Sequence, residues 1–243
     1  MGEHGAAAHD STIPGSIMFG LDGSGTESTG PCGLEFYIGQ LGVGTSVGSG
    51  PCGPKSESAC FNTNAADNAG CANTYGYWFL LGPHDDPHYD GSTTEANDWG
   101  HAQGSAAALA WAESTYVCRT TIFADVEGAQ GEYGWASGTA GQALNQQVWE
   151  GFYEGLASAG SGEGLHAGVY SAPDAWSNIM ANHTLNGSVP EWTYEPTALG
   201  CAFCPAPDQW YAQGFGGEFP VMWQYQQNCA GYGDLDAASS LPT

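Results

Sequence analysis

Hydrophobic and polar positions along the 243-residue chain fall into short apolar runs separated by loops and by longer stripes of helical period. Ile17-Met18-Phe19-Gly20-Leu21-Asp22 and Glu35-Phe36-Tyr37-Ile38-Gly39 read as strands, followed by an aromatic run from Tyr75 to Leu81. Trp99, Ala102, Ala106, Leu109 and Ala110 recur at helical spacing and predict a helix over about 95–116 that packs on a sheet. A strand over 119–127 comes next. Thr139 and Gln142 then form a capping-box pattern ahead of Leu144, Val148, Phe152 and Leu156, one apolar face of a second helix. His166 to Ser171 reads as a strand, and Pro173-Asp174 opens a helix at the position proline tolerates. Runs over 191–195, 209–215 and 221–225 complete eight strand candidates. Eight strands with helices between several of them predict an α/β fold: one parallel (β/α)8-type barrel, irregular, with some helices short or missing. The expected organisation is an N-terminal tail over 1–16 and a barrel over 17–243, with a Cys-rich insertion at about 43–72.

The chemistry-bearing feature is Asp125-Val126-Glu127, which closes the run Thr120-Thr121-Ile122-Phe123-Ala124. Residues two apart on a strand share a face, so both carboxylates are expected to project together from the strand's C-terminal end. Barrel folds collect their chemistry at that end. Two carboxylates held close shift each other's proton affinity, leaving one protonated as an acid and the other ionised. The competing reading is a capping or calcium-binding acidic turn.

Charge narrows the partners. Lys55 and Arg119 are the only lysine or arginine against 26 acids, giving a formal net charge of −24, while charged residues make up just 12% of the chain. The anomaly is depletion of cations rather than a surplus of acid. Such a field repels nucleic acid and anionic membranes, and no guanidinium cluster exists to bind phosphate. Neutral or cationic substrates, or divalent cations on the acidic surface, fit better. No apolar run is long enough to insert into a membrane. Eight cysteines in Gly- and Pro-rich loops (Cys32, Cys52, Cys60, Cys71, Cys118, Cys201, Cys204 and Cys229) imply an oxidising, secreted setting with up to four disulfides. Local pairing would join Cys60 to Cys71 and Cys201 to Cys204, leaving Cys32 near Cys52 and Cys118 near Cys229. Zinc is the alternative for Cys201-Ala202-Phe203-Cys204.

Several segments, in this order, resemble the secreted glycoside-hydrolase-like TIM-barrel domains related to family 25 glycoside hydrolases, the Chalaropsis-type lysozymes. They are Phe19-Gly20-Leu21-Asp22, Phe36-Tyr37-Ile38-Gly39, His101-Ala102-Gln103-Gly104, Phe123-Ala124-Asp125-Val126-Glu127, Gly168-Val169-Tyr170-Ser171, Trp210-Tyr211-Ala212-Gln213, Trp223-Gln224-Tyr225 and Gly233-Asp234-Leu235-Asp236. The resemblance implies hydrolysis of an amino-sugar polysaccharide such as peptidoglycan, without a cofactor. Glu127 would be the general acid, Asp125 would tune it, and Asp22 or Asp234 would be the opposite carboxylate. It also allows the substrate's acetamido group to take part. The Cys-rich insertion and the near absence of Lys and Arg depart from the pattern.

Sugar contacts are expected from Tyr170 and Trp192 near strand ends, with Trp78 as a further aromatic candidate and Gln213 and Gln224 as amide donors. His84-Asp85-Asp86-Pro87-His88 is read as a solvated loop, with a metal site, and so a metal-dependent hydrolase, as the alternative. The second functional class is a non-catalytic extracellular carbohydrate-binding or structural assembly module on the same barrel. An enzyme requires Asp22, Asp125 and Glu127 to converge in an open cleft with Glu127 holding its proton above the usual range. A module would show them dispersed or plugged.

Overall fold

The computed structural model describes residues 15–23, 26–45, 61–185, 189–198 and 200–243. Its centre is a closed barrel of eight strands in chain order: β1 (Met18–Asp22), β2 (Phe36–Val43), β3 (Thr74–Phe79), β4 (Thr121–Asp125), β5 (His166–Ser171), β6 (Glu191–Tyr194), β7 (Met222–Cys229) and β8 (Gly233–Ala238). Strands β1 to β7 pair in parallel, whereas β8 runs antiparallel to both β7 and β1 and closes the barrel. The all-parallel expectation is corrected at this seam. The reason is local: Gly231 at φ 86° and Gly233 at φ 83° turn the chain back directly after β7, with no crossover helix.

The segment 209–215 is not a strand. A 3-10 turn over Pro207–Gln209 leads into irregular backbone held by glutamates, with Gln213 N donating to Glu195 (3.0 Å) and Phe215 N to Glu191 (2.8 Å). The strand over 119–127 is also shorter than expected, so Asp125 ends β4 and Glu127 lies two residues beyond it.

Among the described residues four helices pack outside the barrel: α1 (Thr63–Ala69), α2 (Thr93–Glu113), α3 (Gly138–Ala159) and α4 (Pro173–Met180). Ser92 caps α2 by accepting from Glu95 N at 3.1 Å. The capping box at Thr139 and Gln142 does not form. Ser137 holds the N-cap position, and Gln142 Nε2 donates to the Asn178 carbonyl (2.9 Å), tying α3 to α4. On α2, Ala102 and Leu109 face solvent rather than the sheet, Leu109 being 50% exposed. The face that packs on α3 is built from glycine. A Cβ at Gly100 or Gly104 would collide with the carbonyl of Val148 or Phe152, and one at Gly151 or Gly155 with that of Asn97 or His101.

Strand alternation sorts the core into layers. Phe36, Ile38, Tyr75, Phe123, Trp192 and Met222 fill the barrel, with Gly20 making room for the Phe36 ring and Gly168 for Phe123. Ile122, Ala124 and Val169 face outward against α2, α3 and α4. On the side of β1, β7 and β8 the cover is α1 and loops tied by disulfides. Cys32 bonds Cys204, Cys71 bonds Cys118 and Cys201 bonds Cys229. These replace the expected Cys60–Cys71, Cys201–Cys204, Cys32–Cys52 and Cys118–Cys229 pairings, because barrel closure brings distant loops together more closely than their neighbours in sequence. Cys201 and Cys204 belong to different disulfides and cannot form a zinc pair. Cys52, Cys60 and the rest of residues 46–60 of the Cys-rich insertion lie outside the described residues, as does the tail up to residue 14.

Candidate active site

The acids collect where the parallel strands end. Asp22 ends β1 and lies directly opposite Asp234 in the antiparallel ladder with β8, while Asp125 ends β4. Backbone contacts anchor the segment carrying Glu127. Val126 N donates to Tyr170 O (2.9 Å), Leu80 N to Asp125 O (3.0 Å), Ser171 Oγ to Val126 O (2.7 Å) and Trp135 Nε1 to Glu127 O (3.1 Å). Gly128 at φ 86° then turns the chain, so Glu127 projects from a rigid base.

Above them opens a cavity of about 520 Å³ lined by Glu127, Tyr170, Asp174, Asn178, Tyr194 and Gln227, among others. Asp22 and Asp125 do not line it and have little access to water, Asp125 being 6% exposed with a buried Oδ1 that has no hydrogen-bond partner. Burial, and secondarily the Asp234 charge, raise the Glu127 carboxyl above its ordinary range. Asp125 is raised well above its range by burial and then by Glu127. Asp22 is raised likewise by burial, then by Asp236 and Asp234. Asp234 is raised by burial, against opposing hydrogen bonds from Asn228 N and Asp22. Each of these carboxyls keeps its proton to higher pH than an exposed acid does, and for Glu127, which lines the cleft, that is the direction general acid chemistry requires.

Gln224 ties two of these acids together. Its Nε2 donates to Asp22 Oδ2 at 2.6 Å and to Asp234 Oδ2 at 3.2 Å, and its Oε1 accepts from Tyr170 Oη at 2.6 Å and Gln227 Nε2 at 3.2 Å. It is therefore a buried scaffold under the acids rather than a free substrate donor. Tyr170 is in the cleft wall. The remaining sugar-contact expectations are corrected. Trp192 is buried inside the barrel, its Nε1 donating to Asp236 Oδ1 at 2.8 Å. Trp78 is fully buried outside the barrel wall, with Nε1 on the Gly44 carbonyl (3.0 Å). Neither ring has a face left to offer a sugar. Gln213 lies on the exposed loop beside β6, bonded to Glu195 (3.2 Å).

Asp236, Tyr194, Asp174, Asn178 and Gln227 were not apparent as site residues. Only Asp236 carried a signal, its period-2 spacing from Asp234. Gln103, quoted for the resemblance, is fully buried on α2 and bonds both the N–H and the carbonyl of Leu81 (2.9 Å each), fixing the exit of β3. In the loop after β3, the His84 ring packs on Tyr89, and Asp86 Oδ1 accepts from His88 N. Among the described residues no group of three or more His, Cys, Asp or Glu side chains is arranged to hold a metal ion.

No protein-family model and no curated protein sequence matches the chain. Solved structures do. A muramidase from Acremonium alcalophilum superposes with a TM-score of 0.57 at 18% identity, covering 90% of this chain and 92% of that one. A family GH25 lysozyme from Aspergillus fumigatus gives 0.55 at 17%, covering 93% and 95%. The bacterial lysozyme from Streptomyces coelicolor gives 0.56 at 14%, covering 90% of each chain. At this identity the likeness is one of fold: the chain has the irregular α/β barrel of the family 25 glycoside hydrolases, with β8 reversed, outer helices and disulfide-tied loops.

Proposed function

We propose that this protein is a secreted glycoside hydrolase acting on an amino-sugar polysaccharide, with Glu127 as the general acid. The observation that supports the reading is that Glu127 lines an open cavity while its carboxyl feels the charges of the neighbouring buried acids, Asp234 acting on Glu127, Glu127 on Asp125, and Asp125 and Asp234 on Asp22. Glu127 donates its proton to the leaving glycosidic oxygen. Asp125 competes with it for protons, so that one of the two stays protonated when the other ionises. Asp22 and Asp234 supply negative charge on the opposite side of the cleft, where positive charge develops on the sugar ring. The substrate's own acetamido group is the alternative nucleophile. Tyr194, Asn178 and Gln227 offer hydroxyl and amide contacts from the walls, while the Tyr170 hydroxyl is taken by Gln224.

The fold neighbours bear the names muramidase and lysozyme, which supports peptidoglycan as the first polymer to test. Three disulfides among the described residues support an oxidising, extracellular setting, and no helix among those residues is long and apolar enough to cross a membrane. The test is release of reducing ends from purified peptidoglycan and from chitin-type polymers, comparing wild type with Glu127→Gln. Activity in the wild type alone supports the reading. Absence of activity in both, across pH and with calcium added, transfers the barrel to the class of non-catalytic carbohydrate-binding modules.

A further inference from the structure

Asp236 is a barrel-interior acid with no task in the reaction outlined above. It lies on β8 two residues from Asp234 and is 0% exposed. Its Oδ1 accepts from Trp192 Nε1, while its Oδ2 is buried without a hydrogen-bond partner. The β1–β8 ladder sets Asp236 opposite Gly20, which has no side chain, and so diagonal to Asp22 on the same face. Diagonal neighbours of this kind have Cα atoms about 7–8 Å apart, near enough for a contact between the two acid side chains. Carboxylates are acceptors only, so such a contact requires a proton between them.

We propose that Asp236 is a positioning residue that shares one proton with Asp22, the O–H···O bond between them holding the Asp22 carboxyl against Gln224. The shared proton gives Asp236 Oδ2 the partner it otherwise lacks. It also leaves Asp22 Oδ2 free to accept from Gln224 Nε2. The surroundings disfavour a second negative charge. Asp236 senses Asp234 on its own strand, Tyr170 on β5 and Tyr225 on β7. Asp22 senses Asp234, Asp125 on β4, Tyr37 on β2 and Tyr77 on β3. Every one of these groups is an acid, and the neutral donors Trp192 and Gln224 are the polar counterweights. Burial above all pushes both carboxyls well above the ordinary range.

The word positioning rests on the proposed function; the shared proton does not, so the experiment separates the two. Infrared spectra of the folded protein at neutral pH are compared for wild type, Asp236→Asn and Asp22→Asn. Asparagine keeps the shape and can donate N–H to the remaining carboxylate, so either variant is expected to lose one protonated-carboxyl band. A full set of bands in either variant overturns the proposal, whatever the activity. Should a variant not fold, carboxyl-carbon NMR of the wild type decides. Two aspartate signals moving together in shared steps support a common proton, and independent titrations overturn it. In hydrolysis assays, Asp236→Asn is expected to move the alkaline limb of the pH–rate profile by about one pH unit with KM unchanged. A uniform loss of kcat at every pH assigns Asp236 a structural role only and overturns the positioning.

Discussion

Gln224 Nε2 lies 2.6 Å from Asp22 Oδ2, joining β7 to β1 across the intervening β8, and the same nitrogen reaches Asp234 on β8. One amide thus sets the spacing of two acids from strands far apart in sequence. Replacing Gln224 with Ala removes that donor and leaves a hole beneath the cleft. The expected result is a folded protein with kcat reduced roughly 100-fold, the scale at which misplacement of about 1 Å acts. Tyr170→Phe, which removes only the hydroxyl bonded to Gln224 Oε1, is expected to lower kcat less. Steady-state kinetics on the two variants check the order of the effects.

Stability is expected to rise as pH falls from 8 toward 5. The carboxyls of Asp22, Asp125, Glu127, Glu191, Asp234 and Asp236 all sit above their ordinary range in the fold, burial being the first cause in each. A raised acid binds more protons in the native than in the unfolded state. Its favourable contribution is therefore complete below the unfolded value and is lost as pH rises through the folded one. Relief of repulsion at a net charge of −24 acts in the same direction. Thermal melts across that range measure the sign, and a Tm that climbs toward pH 8 would refute it.

The contact between α2 and α3 is intolerant of any added side chain. Gly104→Ala places a methyl group against the Phe152 carbonyl, an atom that cannot swing away. Overpacking of this kind costs about 1–3 kcal/mol, more than the helix-propensity gain of Ala over Gly returns. Denaturant unfolding should show a lower midpoint for Gly104→Ala, and an unchanged one for Leu109→Ala on the exposed face.

The strands that were legible in sequence were those made of β-branched and aromatic residues, such as Thr121–Asp125, where local preference and burial agree. Gly233–Ala238 was passed over as a strand because Gly, Asp and Ala disfavour one; pairing on both sides overrides that preference. Trp210 and Tyr211 pulled 209–215 the other way, although their segment is held by Glu191 and Glu195 rather than by a ladder. The Asp125/Glu127 pair and Asp22 stood out by their places at strand ends, whereas Asp234 was marked only by the resemblance of Gly233-Asp234-Leu235-Asp236. Gln224's part as a hub was not legible, since it depends on which strands close the barrel. The disulfides failed for the same reason: loop proximity is a property of the closed barrel, not of sequence distance.

The cleft's charge separates substrates. Arg119 precedes β4, donating to the Pro242 carbonyl at 3.3 Å and lying 5.4 Å from the Tyr75 ring, at the barrel end opposite the acids. Lys55 lies outside the described residues. Asp174 and Glu127 line the cavity above the buried acids, so an approaching polymer meets a negative field focused by low-dielectric walls. Under the proposed function, a glycan bearing free amines, such as a partly N-deacetylated chitin, is drawn in and one bearing carboxylates is repelled. The expected signature is kcat/KM for the amine-bearing polymer falling about tenfold or more between low and high ionic strength, while that for an anionic polymer of matched backbone rises. KM should carry most of both changes, since screening alters encounter rather than proton transfer. Equal salt dependence for the two polymers would remove electrostatics as the basis of substrate choice, leaving the hydroxyl and amide contacts of Tyr194, Asn178 and Gln227 to set it.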